Sequence, residues 1–552
     1  MQDFVQKYIF VAEYIISMVK YLIRVYKTNT PLKRGLNMLT VTNVSHGFGE
    51  RQILDNASFR MKKGEHIALV GANGEGKTTF LNIITGKEPA DEGSIVWAKR
   101  ATVGYLDQHS VLEKGQTIRD VLRSAFDEMY KMEADMLEMY NKMGDCTDEE
   151  MTQLMEDVGD IQDILDHSGF YTIDSKIEEY SNGLGLGEIG LDRDVSELSG
   201  GQRTKVLLTK LLLQNPTILI LDEPTNHLDE NHIRWLTTFL QNYENAFLLV
   251  SHDVPFLNDV TNVIYHVENA VLTRYKGNYD DFVAMYELKK RQLEQAYEKQ
   301  QKEIAHLEDF IARNKARVAT TNMAKSRQKK LDKMEIIELA KEKPKPIFAF
   351  EYSRAPGKVV VEGKNLVLGY NEALTRPVNF VVERGQKIAI KGVNGLGKST
   401  LLKTMLGIIP AFDGEVHLDY YAEPAYFEQE HIASSKSALN EIWDMYPSMT
   451  NAGVRGALAK CGLTTQHIET QCKVLSGGEN AKVRLCAIML KSFNLLVLDE
   501  PTNHLDVDAK DSLKKAIKEF KGTVILVSHE PEFYQDIVTD VWNLEDWTTK
   551  IV

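Results

Sequence analysis

The chain has 552 residues, room for about three to five domains. Hydrophobic residues make up 43% and charged residues 26%, which excludes wholesale disorder. A net charge of −14 argues, as a total, against nucleic acid or anionic lipid as partners, and four scattered cysteines (Cys146, Cys461, Cys472, Cys486) exclude a disulfide framework or zinc ribbon and fit a reducing compartment.

Residues 8–23, YIFVAEYIISMVKYLI, are rich in large apolar side chains. Glu13 and Lys20 interrupt the run, short of the ~18 apolar residues that a membrane span needs. No small-residue cleavage site follows, so the segment reads as an upstream extension; an interfacial helix and a single span are the alternatives. From Met38 the text MLTVTNVSHGF alternates apolar and polar residues like a first strand. The apolar run HIALV then leads into GANGEGKTT (Gly71–Thr79) and a helical pattern, TFLNII. This is the GxxxxGK[ST] phosphate loop in its strand–loop–helix setting. Glycines let the backbone approach phosphate, helix-start N–H groups and Lys77 meet its charge, and the Thr78 hydroxyl can ligate Mg²⁺.

GYLDQ ends at Gln108, and an acidic, Met-rich stretch within about 117–180 follows. That stretch reads as an inserted arm with a protein or solvent face. LSGGQ, ending at Gln202, looks like a helix start, with Ser199, Gly200 and Gly201 facing an anion. The buried-strand run TILILDEP ends in Asp222, placed for the metal, and Glu223, placed to polarise an attacking water. Asp229 closes LDEPTNHLD, and VSHD sets His252 after another apolar strand.

The series then recurs. Gly392, Asn394, Gly395, Gly397, Lys398, Ser399 and Thr400 repeat Gly71, Asn73, Gly74, Gly76, Lys77, Thr78 and Thr79 at an offset of 321, and Gln429 repeats Gln108 at the same offset. Ser476, Gly477, Gly478 and Glu479, the second LDEPTNHLD with Asp499, Glu500 and Asp506, and His529 all recur at 277. Two constant offsets mean two co-linear copies, and the drop from 321 to 277 locates one insertion in the first copy, between Gln108 and Ser199.

Between the copies, residues 282–342 hold almost no Gly or Pro and are dense in helix formers, with Pro344 and Pro346 beyond. Ala312–Lys330 carries seven basic residues (Arg313, Lys315, Arg317, Lys325, Arg327, Lys329, Lys330) and no acidic one. Val318, Thr320, Thr321 and Asn322 mark a turn. Two antiparallel helices with a basic tip are expected, with limbs of about 30 residues and about 45 Å. The tip is the candidate RNA contact; a solvated coiled coil spacing the two copies is the alternative.

A phosphate loop, an SGG helix start and a DEP strand in each copy resemble the ATP-binding cassette ATPases, over nearly all of 38–552. The resemblance implies an α/β fold with two tandem P-loop NTPase cassette domains joined by an antiparallel helical-hairpin linker. Its limits are a 1–37 extension, a first cassette at 38–281 with the inserted arm, a linker at 282–345 with its tip at 312–330, and a second cassette at 346–552. Cassettes of this family pack head to tail around ATP, which implies that Lys77 works with Ser476 and Lys398 with Ser199. Gln108 and Gln429 match the family's glutamine loop at Mg²⁺ and water. His252 and His529 match the switch histidine, Asp229 and Asp506 the interface aspartate, and Phe48 and Tyr370 the region that stacks adenine, with a core aromatic as the alternative. Glu479 in place of Gln202 departs from the pattern and points to unequal sites, although both keep lysine and carboxylate.

Tandem cassettes, a basic helical linker and the arm resemble the ABC-F proteins, nearest the YbiT/YkpA-like branch. That implies a cytoplasmic, monomeric, ATP- and Mg²⁺-dependent ATPase with two composite sites and the ribosome as partner. The linker would enter the exit-tRNA site toward the peptidyl-transferase centre, against ribosomal RNA and tRNA. The arm would reach the L1 stalk and its ribosomal protein. Antibiotic-protecting members often carry longer tips, so a translation factor is preferred to target protection. A transporter ATPase would need a separate membrane partner, because nothing in 38–552 reads as a span.

Overall fold

The computed structural model describes residues 37–49, 51–99, 101–106, 112, 114–143, 147–226, 228–314, 321–336, 345–370, 372–429, 433–503 and 505–548. The chain divides into two compact units, Met1–Leu69 with Thr78–Val260, and Val70–Lys77 with Thr261–Val552. The extension 1–36, Gln108, Lys315 and Arg317 lie outside the described residues.

β1 (Asn37–Phe48) and β2 (Arg51–Lys62) pair antiparallel. Alternation along β1 buries Leu39 and Val41 and exposes Thr42. β3 (His66–Val70) runs through the glycine loop into the helix Lys77–Ile84, and β4 (Glu92–Trp97) pairs with the other edge of β1. β5 (Val103–Tyr105), β6 (Ile218–Asp222), β7 (Ala246–Val250), β8 (Val263–Glu268) and β9 (Val271–Lys276) join β3 in a sheet ordered β5–β6–β7–β3–β8–β9. Its parallel core strands are unbroken apolar runs, since helices cover both faces; Leu219–Leu221 and Phe247–Leu249 are fully buried. The insertion folds as helices. Met132, Met136 and Met139 form one stripe on Asp127–Lys142 and share a core with Val158, Ile161 and Leu165 of Asp148–Ser168.

The linker helices are Tyr279–Asn314 and Thr321–Asp332. At the root, the Tyr286 hydroxyl donates to Glu268 Oε1 at 2.7 Å, and Phe282 packs on Tyr275. Farther out, Lys330 Nζ lies 2.6 Å from Glu303 Oε1 and the Arg327 guanidinium sits 3.8 Å over the Phe310 ring. Residues rising along one limb meet residues falling along the other, so the pair is antiparallel, as expected. The second limb ends at Asp332.

β10 (Glu351–Tyr352), β11 (Val359–Val367), β12 (Val378–Glu383), β13 (Lys387–Lys391), β14 (Asp413–Leu418), β15 (Pro424–Phe427), β16 (Ser492–Phe493), β17 (Leu495–Asp499), β18 (Thr523–Val527) and β19 (Asp540–Asn543) build the second cassette. β12–β11–β14 is antiparallel, and β15–β17–β18–β13–β19 is wholly parallel. The segment after the linker straps onto this cassette. Ile347 N donates to Lys460 O at 2.8 Å, Phe348 N to Ser512 Oγ at 3.0 Å, and β10 pairs with β16. Among the described residues, no helix is long and apolar enough to cross a membrane.

Candidate active site

In the second cassette, β13 delivers the loop Gly392–Gly397 to the start of the helix Lys398–Met405. Gly397 caps that helix at φ 92°, and Gly76 holds φ 95° in the first copy, a conformation that a side chain disfavours. Lys398 Nζ donates to Gly392 O at 2.7 Å, Asn394 Oδ1 at 3.0 Å and Val393 O at 3.3 Å, and lies 2.9 Å from His529 Nε2. The ammonium is thereby held against its own glycine loop.

β17 ends in Asp499, and Glu500 follows it directly. Glu500 Oε2 accepts hydrogen bonds from Gln429 Nε2 and Asn503 Nδ2, each at 2.7 Å, and Oε1 lies 3.3 Å from His529 Nε2. Burial alone would raise the Glu500 carboxyl, but His529, Lys398 and Asn503 outweigh it and hold it at about 2. Its carboxylate is therefore ionised, and it can accept a hydrogen bond from water. Asp499 goes the other way. Burial, with Glu500 alongside, pushes it up to about 6, against the pull of Ser399, Lys398 and Lys403. It is 1% exposed, and neither carboxylate oxygen has a hydrogen-bond partner of ordinary geometry, although the Ser399 hydroxyl lies beside it. An orphaned buried carboxylate next to a hydroxyl is a hard-oxygen donor pair that suits Mg²⁺, which commonly takes one or two protein ligands and completes its shell with phosphate and water. No cluster of three or more His, Cys, Asp or Glu side chains able to hold a metal occurs among the described residues.

The first cassette repeats these pieces. Lys77 Nζ donates to Gly71 O at 2.7 Å and Ala72 O at 3.1 Å. His252 Nε2 stands 3.5 Å from Glu223 Oε1. Asp222 and Glu223 are half-buried where Asp499 and Glu500 are buried. Ser199 and Ser476 cap the helices Gly200–Leu213 and Gly477–Met489, so both SGG motifs are helix starts, as expected. Asp229 and Asp506 cap the helices that follow the second carboxylates. Phe48 is 54% and Tyr370 65% exposed, so neither ring belongs to the core and both are open to stacking.

A family model described as ABC transporter matches residues 54–226 and again 375–503, and a companion model of the same description matches 265–350. The chain is 60% identical to YfmM of Bacillus subtilis, an uncharacterized ABC transporter ATP-binding protein, over 94% of this chain and all of that one. It is 36% identical to ABC transporter F family member 2 of Arabidopsis thaliana, over 91% of this chain and 76% of that one. The chain belongs to the ABC-F family. A solved complex of an archaeal ribosome recycling factor with a ribosomal stalk protein superposes on this ABC-F chain with a TM-score of 0.54. At 19% identity, covering 91% of this chain and 87% of that one, the likeness is one of fold.

Several working residues of this ABC-F protein carry little signal in the sequence. Asn503, the asparagine of the second LDEPTNHLD, donates to Glu500 Oε2, a contact the string itself does not show. Lys482 Nζ donates to Asp506 Oδ2 at 2.7 Å, while in the first copy His232 Nδ1 stands 2.8 Å from Asp229 Oδ2. Burial lowers the nearby Lys205 against the pull of Asp229. Comparing positions 277 apart exposes one difference, His232 against Ala509, while Lys205 matches Lys482.

Proposed function

We propose that this ABC-F protein is an ATP-hydrolysing translation factor that acts on the ribosome. In this reading the cassettes occupy 38–281 and 346–552, and each ATP lies between the P-loop of one and the signature of the other. Lys77 then works with Ser476, and Lys398 with Ser199. The lysines and helix-start N–H groups hold the phosphates. Thr78 or Ser399, with Asp222 or Asp499, would hold Mg²⁺, which supplies charge neutralisation on the β- and γ-phosphates. Glu223 or Glu500 accepts a hydrogen bond from water, whose oxygen forms a bond to phosphorus as the bond to the ADP oxygen breaks. The proton passes to the carboxylate and on to solvent. His252 and His529 steady the γ-phosphate end of each site.

The observation that carries the ribosomal reading is the hairpin between the cassettes, with its basic residues gathered at the far end. Lys325 and Lys329 are exposed there, and Arg313 is 2.9 Å from Asp309. Phosphates attract such a tip even though the protein as a whole is acidic. ATP-driven closure places the tip in the exit-tRNA site near the peptidyl-transferase centre, and hydrolysis releases it. The double variant Glu223→Gln, Glu500→Gln is expected to co-sediment with ribosomes through a sucrose cushion when ATP is present. Finding it free in the supernatant under those conditions would overturn the reading.

A further inference from the structure

The two signature helices close their caps with different chemistry. In the first, Ser199 N donates to Gln202 Oε1 at 3.0 Å and Gln202 N donates to Ser199 Oγ at 3.3 Å, a box with a neutral amide. In the second, Ser476 N donates to Glu479 Oε2 at 2.9 Å and Glu479 N to Ser476 Oγ at 3.3 Å, a box with a carboxylate. Glu479 is 8% exposed, and its other oxygen, Oε1, lies 3.2 Å from His467 Nε2. His467 stands on the helix Thr465–Glu469, and its side chain is 12% exposed. The residue 277 positions before His467 is Gly190. Amide thus goes with glycine, and carboxylate with histidine.

A carboxylate suits a helix N-terminus by itself. A phosphate arriving at the same N-terminus meets it as a like charge. An imidazole N–H on the outer oxygen occupies a lone pair there and fixes the carboxylate against the cap. We propose that His467 is a positioning residue for ATP: it holds Glu479 so that Ser476 and the N–H groups of Gly477 and Gly478 stay presented to the γ-phosphate. The proposal rests on the reading that the second signature completes the site of Lys77.

The test titrates ATP with a fluorescent ribose label into the Glu223→Gln, Glu500→Gln chain, which binds without turnover. Adding His467→Ala is expected to weaken binding about five-fold, more at low salt than at high. Adding Glu479→Gln to that variant is expected to restore the affinity, as an amide needs no histidine. Unchanged affinity in His467→Ala, or a loss that Glu479→Gln does not rescue, overturns the proposal. Melting temperatures of both variants identify a purely structural role, in which stability falls and rescue fails. Lys77→Ala should abolish the His467-sensitive binding and Lys398→Ala should spare it. The reverse result would refute the head-to-tail pairing while leaving the histidine its role. Absence of ATP binding in the parent chain would refute both.

Discussion

Glu500 Oε1 lies 3.3 Å from His529 Nε2, and the matching pair of the first cassette, Glu223 and His252, stands at 3.5 Å. In the second site the imidazole leads the groups that keep the carboxyl ionised against its burial. His529→Ala should therefore raise the Glu500 pKa, moving the acid limb of the rate profile to higher pH. It should also slow hydrolysis on the order of 10²-fold. Single-turnover hydrolysis in a Glu223→Gln background, followed across acid and neutral pH, measures both. An acid limb that stays in place would contradict the relationship.

Asp499 gives the opposite sign. Its carboxyl titrates at about 6 folded and about 4 unfolded, so folding takes up a proton between those values. Its contribution to stability accordingly falls as pH rises through that window, and above it the nucleotide-free protein carries a buried charge without hydrogen bonds. Asp499→Asn is expected to raise the nucleotide-free melting temperature at neutral pH by a few degrees, about 1–3 kcal/mol. The same variant should lose the further stabilisation that Mg²⁺ and ATP give the parent. Thermal denaturation with and without both ligands checks the two halves separately.

Glu223 and Glu500 sit at φ 49° and 47°, in the left-handed region. Such a backbone disfavours any side chain with a Cβ, and its presence at both carboxylates suggests that strain aims them. Glu500→Gly should therefore be more stable than Glu500→Ala by about 1 kcal/mol, although both lose the carboxylate. Equal denaturation midpoints would remove the argument.

Lys482 and Asp506 form an ion pair whose side chains are 7% and 10% exposed. Lys482→Ala leaves Asp506 buried without its cation and should cost about 3 kcal/mol. Lys205→Ala should cost less, because His232 already stands against Asp229. Urea unfolding of the two variants decides; equal losses would show that His232 does not substitute.

Neutralising Arg313, Lys315, Arg317, Lys325 and Arg327 should weaken ribosome binding and flatten its salt dependence, with basal ATPase little changed. If only ATPase fell, the tip would be structural.

The tandem architecture was legible because each motif is a local string whose chemistry needs a particular strand–loop–helix setting. The helical linker followed from composition, and its antiparallel pairing from the weak helix formers Val318, Thr320, Thr321 and Asn322. His467 was not legible as the partner of Glu479, since eleven residues and a turn of chain separate them and the contact is made only in the folded lobe. The strap was missed for a similar reason. Pro344 and Pro346 signalled the end of a helix, but nothing local shows that Phe348 and Phe350 will pack against the second cassette. The answer lay in the other copy, where the counterparts of Ala457, Ser512 and Ala516 are Tyr180, Trp235 and Phe239. Rings stand there in place of the small residues that receive the strap, and Trp235 stacks on Phe239.

The first linker helix has 36 residues, a rod of about 54 Å. Its root is clasped over the first turns by Tyr286 and Phe282 against β8 and β9. Clasped at one end, such a rod works as a gear. A tilt of about 10° at the root carries the far end about 9 Å, close to the width of a helix. Shifts at the clasp too small to resolve as domain motion become displacements that a single label at Arg313 would report.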